Sequence, residues 1–198
     1  MDKKNDNSFF AMLSRMKYIE RWALMRNSLR ENVSEHSLET AVVAHALAII
    51  GNCRLGMDYD IEYIALLAMY HDCTEIITGD MPTPVKYYNT EIKDAYKEIE
   101  VNAAKNLLSR LPEDMALEYE KYLLPKEDAS VMKLIKAADK ISALIKCIEE
   151  EKTGNREFNH AKESTFKAIR ELECKEAEIF CEEFVPEYEK TLDELNRE

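Results

Sequence analysis

The stretch Ile64-Ala65-Leu66-Leu67-Ala68-Met69-Tyr70-His71-Asp72-Cys73-Thr74-Glu75 decides how the rest of the chain is read. An apolar run of good helix formers ends in adjacent His and Asp, with a Glu one helical turn further on. Burying His71 and Asp72 at the end of such a helix is unfavourable unless a partner offsets it. A metal ion is such a partner, and it would need further ligands from elsewhere in the chain. The plainer reading is a helix end whose polar residues emerge into water.

Working outward, Asp58 is expected to open this helix, which carries Ile61, Ile64, Ala65, Leu67 and Ala68 into His71-Asp72 and on toward Ile77. Gly79, Pro82 and Pro84 must end it. Upstream, Ser8 is expected to cap a first helix with Phe9, Phe10, Leu13, Met16 and Tyr18. Met25 to Val33 reads as a loop. Asn32 or Ser34 then caps a long helix from His36 to about Gly51, apolar at Leu38, Ala41, Val42, Leu47 and Ala48. Downstream, an amphipathic helix from Thr90 to Arg110 should bury Ile92, Tyr96, Ile99, Ala103 and Leu107. A turn at Leu111-Pro112, a short helix to about Leu124 and a long helix from about Glu127 to Lys152 follow. Charged helix from Glu157 to Arg197, broken near Pro186, completes the chain. The expected fold class is all-α: one compact bundle of roughly six to eight helices, with residues 1–198 forming a single domain.

Composition agrees. The 198 residues are 46% hydrophobic and 33% charged, with only 4 Gly and 5 Pro, which allows a full core and few helix breaks. The formal net charge of -12, without a local basic patch, argues against a nucleic-acid polymer as partner. A small anionic substrate stays open, because a metal and one or two cations reverse the field locally. The polar start Met1 to Ser8 is no secretory signal, and no apolar run approaches the roughly 20 residues that cross a bilayer. Cys53, Cys73, Cys147, Cys174 and Cys181 are scattered, lack a C-x-x-C pair, and read as reduced packing residues. The expectation is a cytoplasmic protein with no membrane partner.

Asp139 is a second anomaly. It follows Ile135 by one turn and shares the apolar face of its helix, so it should have a cationic or metal partner; an Asp there also commonly caps a neighbour or pairs with Arg. His36, in a polar first turn, is by itself an ordinary exposed His near a cap. Together His36, His71, Asp72 and Asp139 offer two imidazoles and two carboxylates from three helices. That mixture suits one divalent ion such as Co, Mn, Zn, Fe or Ni, and suits neither Ca nor a thiolate site. His45 lies about 180° round the helix from His36 and reads as a core or interface histidine. His160 reads as surface.

The order His36…His71-Asp72…Asp139 resembles the HD-domain metal-dependent phosphohydrolases. Four further blocks resemble the bacterial HD-domain 5'-deoxynucleotidases of the YfbR type: Arg21-Trp22-x-Leu24-Met25-Arg26, Glu31-Asn32-Val33-Ser34-Glu35-His36-Ser37, Leu66-x-Ala68-Met69-Tyr70-His71-Asp72-x-x-Glu75 and Gly79-Asp80-x-Pro82-Thr83-Pro84-Val85-Lys86. The likeness runs from about Phe9 to Cys147. It implies an HD-domain fold and one metal held by His36, His71, Asp72 and Asp139. It also implies substrate contacts from Arg21, Trp22, His36, Asp72, Asp80, Thr83 and Asp139, catalytic roles for Glu75, Asp80 and Arg21, and a homodimer.

The activity so implied is hydrolysis of deoxyribonucleoside 5'-monophosphates to deoxyribonucleoside and phosphate. A divalent ion lowers the pKa of the attacking water and polarises a phosphoryl oxygen. Arg21 can grip the phosphate with a bidentate fork, although alone it also reads as a surface cation beside Glu20. Asp80 ranks as the better general acid and Glu75 as the better organiser of Arg21. Trp22, the single tryptophan, is either core packing or an apolar wall that disfavours a ribose 2'-hydroxyl. The alternatives are an HD phosphohydrolase acting on a triphosphate, cyclic nucleotide or alarmone, and a helical module with a structural metal.

Overall fold

A computed structural model of the chain describes residues 7–86, 88–126 and 129–196, and these form helices joined by short turns. In chain order they are α1 (Phe9–Leu13), α2 (Val33–Arg54), α3 (Ile61–Tyr70), α4 (Glu75–Thr78), α5 (Thr83–Lys86) and α6 (Thr90–Leu108). Then come α7 (Glu113–Leu123), α8 (Ala129–Lys152), α9 (Asn159–Glu171), α10 (Lys175–Glu183) and α11 (Leu192–Leu195). Seven of these run nine residues or more, within the expected range for an all-α fold. The chain divides into two compact units: the described residues of Met1–Leu24, Arg30–Ser37 and Met69–Lys126, and those of Met25–Leu29, Leu38–Ala68 and Glu127–Glu198.

The first unit packs Phe9, Met16, Val33, Cys73, Ala104, Leu107, Leu111 and Leu123 into one buried cluster. Tyr119 meets Phe9 edge-on at 5.1 Å and Tyr70 at 5.9 Å, so aromatic rings from α1, α3 and α7 pack there. Burial in this cluster pushes the Cys73 thiol up to about 12, which makes it a packing residue and no nucleophile.

The second unit is built on the inward faces of α2, α3 and α8, with Leu47, Ile64, Ile141, Leu144 and Ile148 at its centre and α9 and α10 packed against α8. A buried ion pair between Lys146 and Glu150 fastens the segment Met25–Leu29 to α8. Glu150 accepts from the Ser28 and Leu29 backbone N–H groups, and Lys146 donates to the Leu29 carbonyl. Asn155 donates to both Glu150 and the Arg26 carbonyl. Burial works against the Glu150 charge, but Lys146, Asn155 and these N–H groups hold its carboxyl down at about 2.

Several elements differ from expectation. Ser8 does not cap α1 with its side chain; its hydroxyl accepts from Arg110. Asp60, rather than Asp58, caps α3 through the Tyr63 N–H. The helix does not continue from Tyr70 to Ile77: Cys73 N–H bonds to the Tyr70 carbonyl and Glu75 N–H to the Asp72 carbonyl, a three-residue spacing tighter than an α-helix, anchored by buried Cys73 and Thr74. Leu38, Val42, His45 and Ile49 are exposed on α2, as are Ile99 on α6 and Cys53, so none of these is a core residue. The C-terminal helix also breaks at 172–174, with Glu173 at φ 49. The expected starting point Glu127 and end point Arg197 lie outside the described residues. Among those described, no helix is long and apolar enough to cross a membrane, and no disulfide joins the cysteines.

Candidate active site

The site in the first unit is assembled by three local devices. The first is a short antiparallel pairing: Arg21 N–H bonds to the Glu31 carbonyl at 3.0 Å, and Val33 N–H to the Ile19 carbonyl at 2.9 Å. This closes the loop after Trp22 and brings Arg21 and Glu31 side by side. The second is the cap of α2. Asn32 Oδ1 accepts from the Ser34 and Glu35 N–H groups while Glu35 reaches back to the Asn32 N–H, a reciprocal capping box that fixes the turn carrying His36. The third is the tight turn after Tyr70, which takes His71, Asp72 and Glu75 out of the line of α3.

His36 is wholly buried, and its ring lies 5.4 Å from that of His71. Their Nε2 atoms stand 3.5 and 3.1 Å from one Asp72 oxygen. Burial alone would raise the Asp72 carboxyl, but His71, His36 and Arg21 hold it well below the usual carboxylate range. Two imidazoles converging on a carboxylate, one of them with no exposure to water, are of the donor types that a borderline divalent cation takes. The residues fit such an ion. Asp139 stands on α8 of the second unit, half-buried one turn after Ile135 and one before Ser142, both buried, so it does share the apolar face.

Arg21 is held among acids: Glu31 at 3.3 Å, Asp72 at 3.7 Å and Asp80 at 4.0 Å. It is neither a surface cation nor paired with Glu20, whose ion pair is with Arg30. Gly79, at φ 74 and ψ 163, takes a backbone conformation open essentially only to glycine and turns the chain so that Asp80 meets Arg21. Burial raises the Asp80 carboxyl, opposed by Arg21 and by a Trp22 backbone N–H. Glu75 is more extreme. Burial, then the Asp72 and Asp80 charges, push its carboxyl up to about 9, and Oε2 is buried with no hydrogen-bond partner. Thr83 opens α5 and is exposed; Lys86 at its end bonds to Glu100 at 3.0 Å and lies over the Tyr96 ring.

Trp22 adopts φ 58, a left-handed backbone unusual for a bulky residue, and donates its indole N–H to Glu31 at 2.7 Å. Glu31 is the residue that sequence reading passed over. It lies within a recognised block, yet a Glu in a loop looks like any solvated charge. The signal lay in its being one residue before the Asn32 cap and five before His36.

An all-helical fold carrying buried His and Asp beside an acid-clamped Arg belongs to the class of HD-domain phosphohydrolases. A crystal structure of an HD-domain phosphohydrolase from Listeria innocua superposes with a TM-score of 0.79 at 26% identity, covering 91% of this chain and 88% of that one. A cyanophage S-2L HD phosphohydrolase, bound to dA and one catalytic Zn2+ ion, shares the fold at a TM-score of 0.64 and 18% identity, covering 89% of this chain and 96% of that one. The family model described as 5'-deoxynucleotidase YfbR-like matches residues 8–188. A 5'-deoxynucleotidase of Vibrio parahaemolyticus is 49% identical over 195 residues, covering 96% of this chain and 99% of the relative. The chain belongs to the YfbR-like 5'-deoxynucleotidase family.

Proposed function

We propose that this protein is a metal-dependent 5'-deoxynucleotidase, releasing phosphate from deoxyribonucleoside 5'-monophosphates. The observation that carries the reading is the Arg21 guanidinium set between the His36–His71–Asp72 cluster and the Asp80 carboxylate. Its family membership and full-length relatives support the same substrate class.

His36, His71, Asp72 and Asp139 would hold one divalent ion, with Co, Mn, Zn, Fe and Ni all compatible with these donors. When bound it supplies Lewis acidity, lowering the pKa of a water and polarising a phosphoryl oxygen. Arg21 takes two phosphate oxygens in its fork, exchanging carboxylate partners for the dianion. Glu75, neutral at pH 7, holds a proton beside the reacting group. Asp80, fixed by the Gly79 turn, shares the phosphate's cation and can pass a proton to the leaving 5'-oxygen. Both carboxyls are raised, so the division favours Glu75 as the proton store more than its sequence position alone does. The Trp22 indole walls the sugar side, where a 2'-hydroxyl would lose water without gaining a partner. Thr83, at the exposed start of α5, would line the nucleotide pocket.

The 8–188 match supports residues 1–198 acting as one functional domain. A homodimer in the cytoplasm completes the proposal. Leu38 (60% exposed), Val42 (61%) and Ile49 form an apolar stripe on α2 open to a second copy.

The test is phosphate release from deoxy- and ribonucleoside monophosphates, with chelator and then with Co, Mn or Zn restored. Deoxy-monophosphate turnover that chelation abolishes and metal restores is expected. Turnover that survives thorough chelation would sink the metal requirement. Release of pyrophosphate or triphosphate would point to another nucleotide.

A further inference from the structure

Glu31 gathers three N–H groups around one carboxylate, one by a hydrogen bond and two by ion-pair contacts. Oε2 accepts the Trp22 indole N–H at 2.7 Å; Oε1 faces Arg21 Nε at 3.3 Å and His36 Nδ1 at 3.5 Å. The residue is buried at 9% exposure, so protein groups supply most of the carboxylate's partners. Resting on the reading above, these three donors are a metal ligand, the phosphate clamp and the sugar wall.

We propose that Glu31 is a positioning residue that ties His36, Arg21 and Trp22 into one unit, so that filling the metal site and discriminating the sugar are coupled. Donation of Nε2 to a cation makes the Nδ1–H of a histidine a stronger donor to its carboxylate partner. On His36 that partner is Glu31, and the pull is felt by the indole bonded to the other oxygen. Trp22 needs such a hold, because its backbone sits in a region that bulky residues leave when released. A glutamine at 31 has one acceptor oxygen and an NH2 group, so at least one of the three N–H donors would face another donor.

Trp22 is the protein's single tryptophan, so its fluorescence reports this site alone. The experiment titrates Zn2+ into the chelator-stripped full chain, wild type and Glu31→Gln, following Trp emission. Zn2+ affinity is measured separately by competition with a chromophoric chelator, and kcat/KM is measured on dAMP and AMP. In the wild type, emission should shift in step with Zn2+ saturation. Glu31→Gln should bind Zn2+ roughly 10- to 100-fold more weakly, lose the emission shift even at saturation, and show a smaller preference for dAMP. Glu31→Asp, which keeps the charge, should recover part of the Zn2+ affinity; it also carries the test if circular dichroism shows the Gln variant unfolded.

A Glu31→Gln protein with wild-type affinity, emission response and sugar preference overturns the proposal. So does one whose kcat falls while those three readouts stay unchanged. If the wild type binds Zn2+ with the emission shift but hydrolyses no nucleotide, the proposed function and the sugar half of the coupling fail, while the link from the metal site through Glu31 to Trp22 stands.

Discussion

Arg21 sits among Glu31, Asp72 and Asp80, which hold its guanidinium in place before any substrate arrives. Lysine at this position would keep the charge and lose the fork. Arg21→Lys should lower kcat/KM on a deoxynucleoside monophosphate by about 10- to 100-fold, the equivalent of one charge-assisted hydrogen bond; steady-state phosphate release reads this directly. Glu75 gives a pH signature in the metal-free chain. Folded, it keeps its proton up to about pH 9, whereas its ordinary value is 4.5. Its raised pKa therefore contributes stability that is fully present below about pH 4.5 and lost as pH rises toward 9, since the unfolded chain binds fewer protons there. Glu75→Gln removes that loss. The urea midpoint of the variant should pull ahead of wild type between pH 5 and pH 8; parallel midpoints across that range would refute the buried, protonated state.

At the scale of elements, the segment Met25–Leu29 is held to α8 by the buried Lys146–Glu150 pair and the backbone groups that bond to it, with Asn155 adding a bond to the Arg26 carbonyl. Removing Glu150 leaves Lys146 buried with its charge uncompensated and two backbone N–H groups without their acceptor. Glu150→Ala should cost about 3 kcal/mol or more, seen as a drop in the urea midpoint at unchanged slope. The helices themselves are legible in the sequence, because apolar spacing and breakers such as Gly79 and Pro112 act locally. Asn32 is legible as a cap for the same reason, and so are the ligand-type residues His36, His71 and Asp72. The interruption after Tyr70 is not. It goes with the burial of Cys73 in a cluster to which α1, α6 and α7 contribute, and of Thr74 beside it, and no window around residue 70 contains that information. The pairing of 19–21 with 31–33 is made by backbone groups, which every residue type carries, so neither it nor the role of Glu31 leaves a mark in the composition of the loop.

For the whole molecule, the metal of the proposed function would be a stability term as well as a reagent. An ion that binds only the folded chain stabilises it by about 2.7 kcal/mol when present at a hundred times its Kd. Chelation should therefore lower Tm by several degrees, and restoring Zn2+ or Co2+ should return it, in a thermal melt. His36→Ala should abolish the metal-dependent part of the shift. A Tm indifferent to both would mean that no ion is held in the fold.

Trp22 keeps its φ of 58 against an unfavourable backbone preference of roughly 1–2 kcal/mol for any L-residue with a side chain. Glycine would relieve that strain and remove the indole in a single step. The same step takes from the buried Glu31 carboxylate its 2.7 Å hydrogen bond and strips away the packing of the indole, and these losses exceed the strain relieved. Position 22 is therefore held by the contacts of its side chain against the preference of its own backbone, and on the proposed reading drift there should erode sugar choice and stability together.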